Sequence, residues 1–231
     1  MSVANPIPAR PSQLRGEQTR RQLLDAALVE FAAVGFDAAS TRAIAARAGV
    51  KQGQLTYHFP TKDELWQATV DCLFARFDEE SASLAASFPP PSDEATAIEV
   101  AVRVLVRVVS RLPELNRVMI HASTADSDRL AWLVERHVRP RFDELSRLWE
   151  RVRAARATHL DADPLLIYYC VIGAASLLYV NAPEAARLSS RADGTDVVSG
   201  ALVESHADAI IAMLLGPRST RGRTRTSTKG R

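Results

Sequence analysis

Ser40-Thr41-Arg42-Ala43-Ile44-Ala45-Ala46-Arg47-Ala48-Gly49-Val50-Lys51-Gln52-Gly53-Gln54-Leu55-Thr56-Tyr57-His58-Phe59-Pro60-Thr61-Lys62-Asp63-Glu64-Leu65 is the stretch from which the fold can be read. Ser40 suits an N-cap, because its hydroxyl can accept from a free backbone N–H. Ile44, Ala45 and Ala48 give the first helix one apolar face. Gly49 ends it at a position where a positive φ is often needed. A second short helix opens with Lys51, Gln52 and Gln54, buries Leu55 and Phe59, and exposes Thr56, Tyr57 and His58. Pro60 closes it, and Thr61-x-x-Glu64 starts the next helix as a capping box. Two short helices joined by a tight glycine turn, the second showing polar side chains, form a helix-turn-helix whose second helix fits the major groove of DNA.

Charge supports that reading. The 231 residues carry a net charge of only +2, but the balance is uneven. Residues 10–62 hold eight Lys/Arg against four Asp/Glu, residues 63–216 hold 15 against 23, and residues 217–231 hold six basic residues and no acid. A basic end on an acidic body suggests that one end meets a polyanion, and the helix-turn-helix selects double-stranded DNA. Hydrophobic residues make up 47% of the chain, enough for a substantial core. No apolar run approaches the ~20 residues of a membrane helix, and Met1–Pro11 has three prolines and no apolar stretch, so no membrane partner and no secretory signal are expected. Cys72 and Cys170 sit in apolar helical patterns and read as buried, reduced thiols of a cytoplasmic protein.

Gly49, Val50, Gly53, Leu55, His58, Phe59, Lys62 and Leu65 also carry a family resemblance. The chain resembles TetR-type (TetR/AcrR) transcriptional regulators, whose pattern runs roughly Gly-Val-Ser-x-Gly-x-Leu-Tyr-x-His-Phe-x-x-Lys-x-x-Leu. It departs at Lys51, where a capping Ser is usual, and at Thr56, where a Tyr is usual; Tyr57 follows one residue later. The resemblance runs from Gly16 to Leu65. It implies a homodimeric DNA-binding regulator, commonly a repressor, released from a palindromic operator by a small apolar effector. It also puts Tyr57 and His58 on DNA phosphates.

The residues themselves suggest further contacts. Lys62, beside a helix N-terminus, can bind a phosphate together with free N–H groups. Ser40, Thr41 and Arg42 begin the first of the two helices, where hydroxyls meet the backbone, and the Thr56 hydroxyl can reach a phosphate. Lys51, Gln52 and Gln54 are candidates for base edges, since Gln pairs with adenine and Lys donates to guanine. Gly53 allows close backbone approach.

The rest of the chain reads as helix throughout, giving an all-α fold of about nine helices. Residues 1–15 read as a disordered arm, 16–62 as the DNA-binding domain, 63–216 as a helical effector-binding and dimerisation domain, and 217–231 as a basic disordered tail. Helix one spans about Glu17–Val34, with Gly35 at its C′ position. The helix from Thr61 reaches about Ser87 and can join the two domains as one rod. Phe88-Pro89-Pro90-Pro91-Ser92 is the clearest break. Pro140 divides residues 126–157, and residues 181–198 form a connection.

The helices at 164–180 and 199–215 carry apolar residues beyond one face. Following the resemblance, Leu166, Cys170, Gly173, Ala174, Leu177, Leu202, Ile210 and Met213 would form the dimer interface as a four-helix bundle. Phe77, Met119, His121, Trp132, Phe142, Trp149 and Tyr169 are the candidate effector-pocket residues. No phosphate loop, dinucleotide fingerprint, nucleophile elbow or Cys-x-x-Cys occurs, and the five histidines lie at no metal-ligand spacing. Neither an enzyme nor a cofactor or metal is therefore expected. The alternative is a helical ligand-binding or interaction protein with a non-functional helix-turn-helix.

Overall fold

The computed structural model describes residues 11–189 and 199–216. The stretches read as an arm before Pro11, as a basic tail from Pro217, and residues 190–198 of the connection lie outside the described residues.

Helices account for nearly all the described secondary structure. In chain order they are α1 (Pro11–Ala38), α2 (Thr41–Arg47), α3 (Gln52–His58), α4 (Lys62–Ala85), α5 (Glu94–Arg111), α6 (Pro113–Ala122), α7 (Asp128–Leu133), a π-helical turn (Val134–Val138), α8 (Arg139–Ala154), α9 (Pro164–Val180), α10 (Ala182–Leu188) and α11 (Gly200–Leu215). The all-α reading holds. The helix count rises above nine because Ala182–Leu188, read as connection, is helical and because the 126–140 segment divides into α7 and the π-turn.

Local chemistry explains the boundaries. The helix begins at Pro11 rather than Glu17, so residues 11–15 are helical and not part of an arm. Proline is compatible with the first helical turn, where its missing N–H would be unpaired anyway. Gly35, at φ 75°, breaks α1 where the sequence placed its C′ residue. Asp93 caps α5 by accepting from Thr96 N–H at 2.7 Å, and that bond holds the Asp93 carboxyl below its ordinary pKa. Pro113 and Pro164 open α6 and α9. Pro140 sits in the first turn of α8, directly after the π-turn, so it divides the segment without ending it.

Two apolar clusters form the core. One runs from Leu23, Ala27 and Phe31 on α1 through Ile44, Leu55 and Phe59 to Leu65, Trp66, Val70 and Leu73 on α4, and on to Val108, Leu115, Val118 and Leu133. The core beneath the helix-turn-helix is thus continuous with the body rather than closed within a three-helix unit. The second cluster joins α5, α8, α9 and α11 around Trp149, Val171, Ala175 and Ile210. Phe77 packs against both. The two cysteines depart from expectation: Cys72 and Cys170 are free and exposed, because both stand on outward faces of helices whose other sides supply the core. Among the described residues no single helix is long and apolar enough to cross a membrane.

Candidate nucleic-acid interface

Short-range bonds shape the interface. Ser40 Oγ caps α2 by accepting from Ala43 N–H at 3.4 Å. At the other end, Val50 N–H reaches Ala45 O at 3.0 Å and Gly49 N–H reaches Ala46 O at 3.1 Å. This is the paired C-terminal arrangement that requires a left-handed residue, supplied by Gly49 at φ 69°. The turn aims α3 across α2.

Lys51 cannot cap α3 as a Ser would. Instead Gln54 Oε1 accepts from Lys51 N–H at 3.2 Å and so closes the helix start from inside. Gln52 Nε2 donates to Thr41 Oγ1 at 3.2 Å, which ties α3 to α2. Leu55 and Phe59 are buried and anchor the helix from beneath. Gln52, Gly53, Gln54, Thr56 and Tyr57 are exposed, Tyr57 to 84%. A Cβ added at Gly53 would meet nothing within 4 Å, so the chain's own packing does not require glycine there.

The sequence-predicted residues therefore fall into groups. Lys51, Gln52, Gly53, Gln54 and Tyr57 share the exposed surface of α3, with half-buried His58 beside Tyr57 at a ring separation of 5.3 Å. Thr41 and exposed Arg42 lie alongside on α2. Thr56 is exposed, but its hydroxyl donates back to Gln52 O at 3.2 Å. Lys62 is anchored away from the free N–H groups of α4: its Nζ donates to Asp37 O at 3.2 Å and lies 4.5 Å from the Phe36 ring centroid. An ammonium has three donors, so Lys62 keeps capacity for a phosphate. Thr61 caps α4 by accepting from Glu64 N–H at 3.1 Å.

Sequence reading missed Arg20. Its guanidinium lies 5.2 Å from the Phe59 ring centroid, next to the end of α3. Which arginine of α1 reaches Phe59 depends on how α1 packs on α3, and no local pattern reveals that.

The candidate dimer residues form an unpartnered face only in part. Leu166, Cys170, Gly173 and Leu177 are exposed along α9, and Tyr169, assigned to the pocket, stands among them at 67% exposure. Met213 of α11 is exposed, Leu202 is half-buried, and Ala174 is half-buried with its carbonyl 2.9 Å from His206 Nε2. Ile210, at 3% exposure, belongs to the core of one chain.

The seven pocket residues do not converge. Met119 and Trp132 pack on the first core cluster, and Trp132 meets Trp66 at 5.7 Å between ring centroids. Trp149 is fully buried in the second cluster, with Nε1 donating to Ala162 O at 2.9 Å. Phe142 meets Tyr168 at 5.5 Å. His121 alone of the seven lines a cavity of about 220 Å³, formed with Phe31, Phe36, Trp66, Val118 and Arg129 at the junction of α1, α4 and α6.

α4 is fastened to the body by pairs that the sequence does not disclose. Arg129 Nη1 donates to Asp63 at 3.3 Å, Arg136 Nε to Asp71 at 2.6 Å, and Arg141 pairs with Asp78. His137, on the π-turn, bonds Asp71 Oδ1 at 2.8 Å and stacks on Phe74 at 4.4 Å. Burial pushes the His137 imidazole below its ordinary pKa, with Asp71 opposing.

An all-helical body behind an exposed polar recognition helix defines a helix-turn-helix DNA-binding protein. Residues 23–69 match the family described as bacterial regulatory proteins, tetR family. Over 206 residues the chain is 26% identical to the HTH-type transcriptional repressor KstR of Rhodococcus jostii (strain RHA1), covering 89% of this chain and 86% of that one. It is 32% identical over 108 residues to the HTH-type transcriptional dual regulator CecR of Shigella flexneri, covering 44% of this chain and 47% of CecR. The latter match thus spans about half of that relative's length. In fold it is similar to AibR, solved in complex with isovaleryl coenzyme A and operator DNA, with a TM-score of 0.65 at 18% identity over 86% of this chain and 99% of that one. The tetR-family match covers the helix-turn-helix and the helices on either side of it, and the chain is similar over most of its length to a transcriptional regulator.

Proposed function

We propose that the chain is a homodimeric repressor that reads a palindromic operator through α3 and is released by a small effector. One observation carries this reading: α3 holds Gln52, Gly53, Gln54 and Tyr57 outward in a single patch, fixed from below by Leu55 and Phe59. Lys51, Gln52 and Gln54 read base edges. Ser40, Thr41, Arg42, Thr56, Tyr57, His58 and Lys62 hold phosphates, which set register but not sequence. Gly53 lets the α3 backbone come close to the duplex.

The dimer forms through the exposed stripe Leu166, Tyr169, Cys170, Gly173 and Leu177 of α9, with Met213 of α11. An apolar stripe of this length on a helix surface calls for a partner, and a two-fold pair is what a palindrome requires. The name of KstR supports a repressor, and the AibR complex supports an effector acting on an operator-bound relative. Release works if the effector binds a dimer shape with misplaced recognition helices several kcal/mol more tightly than the DNA-bound shape.

Sedimentation of the chain alone and with duplex DNA tests the dimer. Two chains per particle at micromolar concentration, and two per bound palindrome, are expected. A chain that stays monomeric in both contradicts the proposal.

A further inference from the structure

The cavity of about 220 Å³ at the junction of α1, α4 and α6 is lined from both the DNA-reading side and the body. Residues 35–38 reach it from the end of α1, just before Ser40 caps α2. From the body come His121 of α6, Ala125 of the loop after it and Arg129 of α7.

Its walls are aromatic. Phe31 and Phe36 stack with ring centroids 6.1 Å apart, and Trp66 meets Phe36 edge-on at 6.4 Å. Phe31 and Trp66 are buried, as is Val118 beside them. The rim is polar, and most of it is already in use. Thr124 Oγ1 donates to His121 O at 2.9 Å, and Ser127 Oγ accepts from Leu130 N–H at 3.2 Å. Arg129 donates to Asp37 at 3.4 Å and to Asp63 at 3.3 Å. The His121 imidazole differs. It lies against Gly35, where a Cβ would come within 3.1 Å of Nδ1, yet neither ring nitrogen holds a hydrogen bond among the described residues.

These features select a ligand. An apolar cavity of about 150 Å³ holds benzene, so this space takes one ring and a few further atoms. Aromatic walls with one open polar group suit a mostly apolar ligand carrying one hydrogen-bonding group. A neutral imidazole can accept at one nitrogen and donate at the other, and a hydroxyl matches either. A charged ligand would find its counter-charge taken, because Arg129 is shared by two carboxylates and Asp37 is paired with Arg129.

We propose that this cavity binds a small uncharged arene of the phenol type, with its hydroxyl on the His121 imidazole and its ring among Phe31, Phe36 and Trp66. This rests on the effector reading above and names the chemistry of that effector. The occupant touches residues 35–38, which lead into α2, on one side and α6 on the other, so it changes how the helix-turn-helix sits on the body.

The test titrates the full chain by calorimetry with four single-ring probes: para-cresol, toluene, benzoate and benzylamine. Para-cresol is expected to bind at least tenfold more tightly than benzoate or benzylamine, and at least fivefold more tightly than toluene. His121→Phe keeps a ring beside Gly35 and is expected to bring para-cresol down to the affinity of toluene. Ala125→Trp, at an exposed position on the rim, is expected to fill the space and abolish binding of both. His159→Phe, at an exposed histidine outside the lining, is expected to change nothing. If one of the first two variants does not fold, the other decides. Equal binding of all four probes, no binding of para-cresol, or binding unchanged in the folded variants overturns the proposal. Selection of duplex DNA on the same preparation separates the two readings. An enriched palindrome without para-cresol binding removes the site and leaves the regulator, whereas para-cresol binding without enrichment does the reverse. With both present, saturating para-cresol is expected to weaken binding to the enriched duplex at least tenfold, and an unchanged DNA affinity overturns the effector role.

Discussion

The helix-turn-helix and the seam along α4 treat polar side chains in opposite ways. Within α2 and α3, hydrogen bonds are short in sequence: Ser40 with Ala43, Lys51 with Gln54, Thr56 with Gln52, and Gln52 with Thr41 11 residues away; at the edge of the region Lys62 reaches Asp37, 25 residues away. Most of the remaining polar surface of α3 points outward. Along the seam, Asp63, Asp71 and Asp78 are paired with Arg129, Arg136 and Arg141, partners 66, 65 and 63 residues away. The first region is fixed locally and offers its polar groups to an outside partner. The second uses its charges to hold one helix on another, through pairs weak enough to exchange.

The comparison can be broken most forcefully from below. Leu55→Ala opens a cavity under α3 and is expected to lower unfolding stability by about 2–5 kcal/mol and to abolish DNA binding. Chemical denaturation and fluorescence anisotropy on labelled duplex measure the two. If binding survives at full strength, the recognition helix is not held by Leu55.

Surface changes on α3 should spare the fold and act on DNA alone. Gln54→Ala is expected to relax preference at one base pair by about 1–3 kcal/mol, with a smaller loss of stability of about 0.5–1 kcal/mol because the same side chain caps Lys51 N–H. Tyr57→Phe combined with Lys62→Ala should instead weaken binding to all sequences alike and flatten its salt dependence. Gly53→Ala sharpens the contrast further. The added methyl meets nothing inside the chain, so stability should hold or rise by up to about 1 kcal/mol, while DNA affinity falls. An unchanged affinity would mean that the backbone does not approach the duplex at Gly53.

The smallest effect belongs to the body and to pH. Burial lowers the pKa of both His137 and His206 from the ordinary 6.5. Between the folded and unfolded values the unfolded chain binds more protons, so this part of the stability is complete above about pH 6.5 and is lost as pH falls through the folded values. Denaturation curves taken from pH 7.5 down to 5.5 should therefore show a falling midpoint, less steep in His137→Gln. Equal slopes would place the acid sensitivity elsewhere.

What was legible in the sequence follows the same division. Gly49, Ser40, Leu55 and Phe59 act within a few residues of themselves, and the sequence shows the turn, the cap and the buried side of α3. The Gln54 cap is equally local, but reading Lys51 as a poor cap hid it. Arg20 on Phe59, the Asp–Arg seam and the wide scatter of the seven pocket aromatics depend on which helices meet, and helical periodicity carries no record of that. Ile210 and Tyr169 illustrate the limit: both stand in helices with apolar residues on more than one side, yet one is buried and the other 67% exposed. Ile210 was assigned to the dimer for the same reason, although its side packs inward.

The central claim is that α3 reads sequence in a two-fold pair. Selection of binding sites from random duplex DNA by the purified full chain, at near-physiological salt, tests it most directly. The account predicts an enriched palindrome whose half-sites are spaced by about one helical turn or a multiple of it. Weak, salt-sensitive binding with no enriched sequence would contradict it.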